Sequence, residues 1–353
     1  MNRTLIPKFK ILNLGGILIS IFAIFLAFLV GAMIMLFSGV SPLEAYYSLF
    51  VGAFGGWINF ADTLFAATPL MLTGLATAIS FRSGVFNIGV EGSLYLGAFA
   101  SAWVGFTFTN LPSFVVIPFS LIFSMVVGGI WGYIPAILKV KLKVDEIVST
   151  IMLNYVAILF TSYLVNYPFQ VPGVANSMSE RISKNAELPR LMRGSQLNLS
   201  FFIALALILI FYIVNSRTKF GYESKVCGKN MYFAKASGID VDKIIITSMV
   251  LSGAIGGLVG ALQILGVYYR FYDFFSPGYG SDGIPIAILS NNHPIGCLFV
   301  AILFGALRSG GSMMELMTGI PIDLSNVLEA VIIFFVTAKI ILIFRKSKKG
   351  EVV

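Results

Sequence analysis

Charge is what this sequence has least of. Only 11% of its 353 residues are Asp, Glu, Lys or Arg, less than half the share a soluble globular domain carries. Chemistry-bearing side chains are equally scarce: one histidine, His293, and two cysteines, Cys227 and Cys297. Two cysteines this far apart give neither a disulfide framework nor metal-ligand spacing, and one histidine cannot build a metal site alone. A membrane-embedded hydrolase or transferase needs a nucleophile–base or metal set in one cavity, and there is little here to build it from. No G-x-x-x-x-G-K-[ST] phosphate loop occurs, which excludes ATP hydrolysis by this chain in the P-loop manner.

What is present is apolar. The hydrophobic fraction is 58% and the mean hydropathy is +0.91. Several runs reach the ~20 residues that cross ~30 Å of hydrocarbon as a helix. They are continuously apolar rather than alternating, which argues against a β-barrel. The fold class expected is an all-α polytopic membrane protein, with residues 1–353 forming one transmembrane domain. The formal charge of +8 suggests nucleic acid at first sight, but 18 of the 24 Lys/Arg fall on one face of the topology below. That is the positive-inside bias of a membrane protein, and no nucleic-acid partner is expected.

About ten transmembrane helices are predicted, with both termini cytoplasmic. The spans are Ile17–Phe37, Asp62–Phe81, Ser83–Phe106, Phe114–Leu138, Ile147–Asn166, Leu199–Val214, Ile244–Val267, a short Ile284–Leu289, Ile295–Leu307 and Leu324–Phe344. The first run is too long for a signal-peptide core and lacks a small-x-small cleavage pattern, so it reads as retained. A short interfacial helix is expected between it and Phe60, and the ninth span is expected to exit at Arg308. Residues 167–198 form the long extracytoplasmic loop, and residues 217–243 a basic cytoplasmic one. Two stretches echo each other, from Gly74 and from Gly283: an apolar arm, a polar break, a glycine-containing apolar arm. They read as a parallel repeat, with chance likeness between glycine-rich apolar segments as the competing explanation.

Three places carry polar or small residues with a physical consequence. The third span holds Asn87, Glu91 and glycines at 84, 89, 92 and 97. A carboxylate at mid-bilayer costs about 2.5–3.5 kcal/mol on insertion scales, so Glu91 should face a partner or a wet cavity. Read as one helix, Glu91 lies ~13 Å from Arg82, near the cytoplasmic end. Packing and capping is the first reading for Glu91 and substrate contact the second. The run LSGAIGGLVGAL in the seventh span is a small-residue packing face. Asn59, Asn154, Ser248 and Gln263 suit either a neutral polar solute or hydrogen bonds between helices, the commoner use. Asn87, Glu91, Asn154 and Gln263 are the candidates for a translocation path.

The basic loop Arg217–Lys243 reads as a short amphipathic helix under the membrane. Gly221, Gly228, Asn230, Ala234, Gly238 and Ile239 match the pattern G-x-x-x-R-A-x-G-x-N-x-x-A-A-x-x-x-G-I, and the segment resembles the coupling segment of bacterial ABC importer permeases. The branch is the one that carries nucleosides, simple sugars and branched-chain amino acids. Lys229, Met231 and Phe233 stand where the family favours an acid, a proline and an alanine, departures that bear on the docking partners. The stretch Phe86–Gly92 followed by Gly97 and Ala98 is similar to that family's F-N-I-G-V-E-G-x-x-x-x-G-A signature, and the tail from Gly280 resembles its C-terminal half. The likeness runs from about Asp62 to Lys339 and is closest to the nucleoside type.

The resemblance implies an ABC importer permease fold with a cytoplasmic coupling helix, in a bacterial cytoplasmic membrane. It implies a partner ATPase subunit that holds ATP and Mg, no cofactor on this chain, a second permease chain and an extracytoplasmic substrate-binding protein. Import of nucleosides by alternating access is the expected function, with a ribose- or galactose-type sugar as the alternative cargo. An ion-coupled secondary transporter is the rival from another class. It would need intramembrane ionisable groups, for which Glu91 and Glu329 are the candidates.

Overall fold

The structure, a computed structural model, describes residues 14–37, 39, 41–174, 176–319, 321, 323–324, 326–331 and 333–334. Among the described residues these α-helices follow one another: α1 Leu14–Phe37, α2 Pro42–Phe54, α3 Trp57–Arg82, α4 Val90–Thr107, α5 Ser113–Leu142, α6 Glu146–Asn166, α7 Ser200–Arg217, α8 Lys219–Lys229, α9 Met231–Ala236, α10 Val241–Gln263, α11 Tyr279–Leu289 and α12 Pro294–Thr318. Six are long and apolar enough to cross a membrane: α3, α5, α6, α7, α10 with its extension to Tyr268, and α12. Residues at 323–334 are helical wherever they are described. The rest of the tenth predicted span, and the basic ends of the chain, lie outside the described residues.

The chain divides into two compact units, Ala53–Ser309 and a smaller one of Met1–Gly52 with Gly310–Val353. In the smaller unit Gly31 packs on Leu328, Gly310 on Leu49 and Gly52 on Met313. The Phe28 and Tyr46 rings meet edge to face at 5.1 Å.

The larger unit is built around α10. Its glycine run has no Cβ to hold neighbours off, so helix backbones touch. A methyl at Gly257 would land on the Ser124 carbonyl, one at Gly253 on the Gly128 carbonyl, and one at Gly260 on the Leu94 carbonyl. Gly97 and Gly128 face the same helix with the same lack of room. α4, α5 and α10 thus form one close-packed layer, as small-residue membrane interfaces do. α6 and α7, by contrast, are mostly exposed and carry large apolar side chains outward, among them Met152, Leu159, Phe202 and Ile213.

Three expectations are corrected. The third span is not one helix. α3 stops at Arg82, and Ser83–Gly89 is non-helical before α4 begins at Val90. The cause is Gly84 in the left-handed region at φ 81°, with Gly84 N–H donating to Phe81 O and Val85 N–H to Ser80 O. That is a Schellman stop, which only a residue tolerant of positive φ permits. The separation of Glu91 from Arg82 is therefore not helical rise. The ninth span does not exit at Arg308, because α12 continues to Thr318 with Arg308 inside it. The basic loop holds two helices rather than one. Beyond the fourth predicted span α5 continues through Leu142, and Lys139 pairs with Glu146 at 2.5 Å.

The second polar break, Ser290–His293, uses the same device as the first. Asn292 N–H donates to Ala287 O and Asn291 N–H to Ile288 O, with Asn291 at φ 52°. Asparagine here does what glycine does at position 84. Both members of the sequence echo are therefore broken helices.

Candidate functional site

The basic segment 217–243, called the handle, starts where α7 ends. Thr218 caps α8, its hydroxyl accepting from Gly221 N–H at 3.2 Å. Gly221 lies against the Val214 carbonyl and Asn215 backbone, where a side chain has no space. Asn230, extended between α8 and α9, caps α9 by accepting from Phe233 N–H at 3.0 Å. α9 ends on a second Schellman stop, Gly238 at φ 79°, with Ile239 N–H on Ala234 O and Gly238 N–H on Lys235 O. Cys227, Ala234 and Ile244 are buried together under Phe220, Val226, Ile239 and Val241. Burial, with the Glu223 carboxylate nearby, pushes the Cys227 thiol up from its ordinary value.

All six residues of the coupling pattern, Gly221, Gly228, Asn230, Ala234, Gly238 and Ile239, therefore set the shape of the segment. Its outward face is made by others. Tyr232 is 89% exposed, Phe233 63% and Tyr222 67%, flanked by exposed Lys225, Lys229 and Lys235. Two of the three departures from the pattern, Lys229 and Phe233, lie on this aromatic and basic face. The third, Met231, turns inward onto the cluster of Val85, Ala136, Ile245 and Met249.

The broken helix sits directly on the handle. A methyl at Gly228 would meet the Arg82 carbonyl, and one at Gly84 would lie 3.1 Å from the Met231 Cε. From there the seven residues Ser83–Gly89 are pinned on two sides. Ser83 shares a hydrogen bond of 2.6 Å with Ser248 of α10. The Asn87 Nδ2 donates to Ser252 of α10 at 3.0 Å, and its Oδ1 accepts from Gly89 N–H at 2.8 Å. Asn154 of α6 spans the start of α4: its Nδ2 donates to Ile88 O at 2.9 Å and its Oδ1 accepts from Gly92 N–H at 2.8 Å.

Glu91 follows, in the first turn of α4. Its carboxylate accepts from Gly280 N–H at the start of α11, with Ser276 and the Ser281 backbone facing the same group. The N-cap of α11 is Gly278 at φ 101°, and the Ser276 hydroxyl accepts from Gly278 and Tyr279 N–H at 3.2 and 3.3 Å. The next orphan N–H, that of Gly280, and the positive end of α11 are met by a carboxylate from another helix. Asp282, in the same first turn, pairs with Arg308 of α12 at 2.7 Å.

Asn87, Glu91 and Asn154 are thus brought together around one break. Gln263 is not among them. It lies at the end of α10, 4% exposed, with its Oε1 unpaired among the described residues, just before the π-turn Ile264–Tyr268. Ser248 is spent on Ser83, and Asn59 lies in the first turn of α3. Sequence reasoning did not find Gly280, Asp282 or Arg308 as partners; the only signal was two opposite charges in an apolar tail.

At the far end of α7 from the handle, the 167–198 segment is tied to the stretch after α10. Ser179 N–H donates to Phe271 O at 2.9 Å, Ile182 N–H to Tyr269 O at 2.9 Å and Leu188 N–H to Leu265 O at 2.8 Å. Asp273 accepts from Ser162 and Asn166 of α6, each at 2.9 Å. Phe271 is fully buried between Phe99 and Phe275, at ring distances of 5.6 and 5.4 Å. Arg181 reaches Glu187 at 3.0 Å and stands 5.4 Å from the Tyr269 ring.

The profile of the family described as the permease component of branched-chain amino acid transport systems matches residues 59–337. The chain is a permease of this family. It is 37% identical over 345 residues to the guanosine ABC transporter permease NupP of Bacillus subtilis, covering 96% of this chain and 99% of the relative. It is 35% identical to the nucleoside ABC transporter permease NupB of Lactococcus lactis, covering 92% of each. The glucose ABC transporter permease TsgB13 of Haloferax volcanii is 33% identical over 88% of this chain and 84% of its own. The permease is accordingly a multi-pass membrane subunit of an ABC transporter, and its kin include nucleoside and sugar systems.

Proposed function

We propose that the permease forms the translocation path of an ATP-driven importer for nucleosides, working by alternating access in a bacterial cytoplasmic membrane. The observation that carries the cargo is likeness along nearly the whole chain to a guanosine and a nucleoside permease, at 37% and 35% identity. In this reading ten spans put both termini in the cytoplasm, with α8–α9 docking in a groove of an ATPase subunit that binds ATP and Mg. Tyr232 and Phe233 are the docking side chains, and the six pattern residues hold them in place. A second permease chain completes the path, and an extracytoplasmic binding protein delivers substrate to the 167–198 face.

Of the four path candidates, Gln263 has the buried acceptor that a polar solute would use. Asn87, Glu91 and Asn154 act on the path through the broken helix. A sugar is the second reading for the cargo, favoured by the 33% identity to the Haloferax glucose permease.

The deciding experiment reconstitutes the permease with the ATPase and binding protein encoded beside it. ATP-dependent uptake of guanosine, adenosine, cytidine, glucose, ribose and leucine is then compared. Saturable uptake of nucleosides supports the proposal, and uptake of glucose alone keeps the machine and changes the cargo. Uptake that follows an ion gradient without ATP overturns the reading.

A further inference from the structure

Two glycine contacts bracket the broken helix, and neither has slack. At one end Gly228 of α8 lies against the Arg82 carbonyl so closely that a methyl would overlap it. At the other, Gly280 of α11 lies on the backbone and carboxylate of Glu91, again with no room for a methyl. Between them run Ser83–Gly89 and the first turn of α4, tied to α10 by Ser83 and Asn87 and to α6 by Asn154. Atoms in van der Waals contact transmit displacement rather than absorb it, because interiors are close-packed. The non-helical stretch is also the one part of this path whose dihedrals can turn without breaking a helical ladder.

We propose that the segment from Ser83 to Glu91 is the transmission element between the handle and α11. In this role Glu91 is a positioning residue that holds the start of α11 in one state and releases it in the other. The proposal rests on the importer reading above. α11 suits the part. It is an 11-residue helix, about half the length of the ~20-residue helices that usually span a bilayer. The Ser276 hydroxyl reaches only Gly278 and Tyr279 N–H, so Glu91 is the group that satisfies Gly280 N–H in the first turn of α11. Its inner contacts are close as well, since Gly283 lies on the Thr73 carbonyl and Gly74 on the Ile286 side chain. Withdrawing Glu91 leaves the buried Gly280 N–H unpaired, a cost that favours the position of α11 in which the bond is made.

The test is a double-mutant cycle on ATP-dependent uptake, with Gly228→Ala at the handle and Glu91→Gln at the far end. Each variant is first checked for assembly by co-purification with the ATPase. Each single change is expected to lower maximal uptake about tenfold, Glu91→Gln by loss of a charge-assisted hydrogen bond and Gly228→Ala by overpacking against the Arg82 carbonyl. Because both act on one element, the double variant is also expected near tenfold, whereas independent sites would give about a hundredfold loss. In Glu91→Gln the KM and the ranking of substrates stay as in the native permease.

A loss of about a hundredfold in the double variant overturns the proposal, as does a changed KM or ranking, which would make Glu91 a substrate contact. If either variant fails to assemble, Ser281→Cys in the otherwise native complex decides. Ser281 is exposed, one residue past the Gly280 contact. Its maleimide labelling rate is expected to differ between nucleotide-free and ATP-trapped states, and equal rates overturn the proposal. Loss of ATP-dependent uptake by the native complex would instead remove the importer reading itself.

Discussion

Arg308 of α12 reaches Asp282 of α11 at 2.7 Å, each side chain about a quarter exposed. Within an apolar bundle this arginine is a countercharge and not a span terminus. A charge inside the membrane is tolerated when a partner of opposite sign meets it there. Arg308→Ala leaves Asp282 without that partner and is expected to destabilise the permease by about 2–4 kcal/mol. The exchange Asp282→Arg with Arg308→Asp recovers part of the loss. Thermal unfolding of the detergent-solubilised chain measures both.

Neighbouring glycines of α5 should behave in opposite ways. A methyl at Gly128 meets the Gly253 carbonyl, which is backbone and cannot turn aside, while one at Gly129 finds its nearest atom at 3.5 Å. Gly128→Ala is expected to cost about 1–3 kcal/mol by overpacking. Gly129→Ala should be neutral or mildly stabilising, since alanine favours the helix by up to about 1 kcal/mol. Monodispersity on size exclusion and the unfolding midpoint separate the two.

Asn154 makes two hydrogen bonds to the start of α4, one as donor and one as acceptor. Asn154→Ala leaves Ile88 O and Gly92 N–H without these partners and should destabilise by about 1–3 kcal/mol. Asn154→Asp keeps the acceptor for Gly92 and loses the donor for Ile88. Because the second carboxylate oxygen then faces the Ile88 carbonyl, its unfolding midpoint at neutral pH should fall at or below that of the alanine variant.

On the handle, shape and contact are separable. Tyr232→Ala and Phe233→Ala remove exposed rings and should leave the unfolding midpoint unchanged. Their affinity for the ATPase should fall by about 1–3 kcal/mol each, the range of interface anchors. Gly238→Val forces a β-branched residue to φ 79° and is expected to lower the midpoint as well. Pull-down with the ATPase, alongside unfolding of the permease alone, checks both halves.

Cys227 should be a poor nucleophile despite lying in the basic loop. It is 1% exposed, and burial raises its thiol pKa, so less thiolate is present at any given pH than for a free cysteine. Alkylation at neutral pH is expected to be slow, to rise as pH climbs past the ordinary thiol range, and to become complete on denaturation. Fast labelling of the native chain at neutral pH would contradict the packing of α8 on Ile244.

Membrane class, most of the span positions and the handle were legible in the residues alone. Those depend on composition and on runs of ~20 apolar residues, which bilayer thickness dictates locally. Gly84 and the Ser-Asn-Asn-His-Pro run were visible as polar interruptions. Whether a glycine in an apolar run is a packing surface or a helix stop depends on its φ, and that is set by neighbours on other helices. Gly97 and Gly257 became contact surfaces, while Gly84 and Gly238 became stops. It took the assembled helices to give Glu91 to Gly280, 189 residues away, and Arg308 to Asp282. A charge in a membrane span announces that it has a partner; which partner depends on helices meeting in space, and residue spacing along the chain does not encode that.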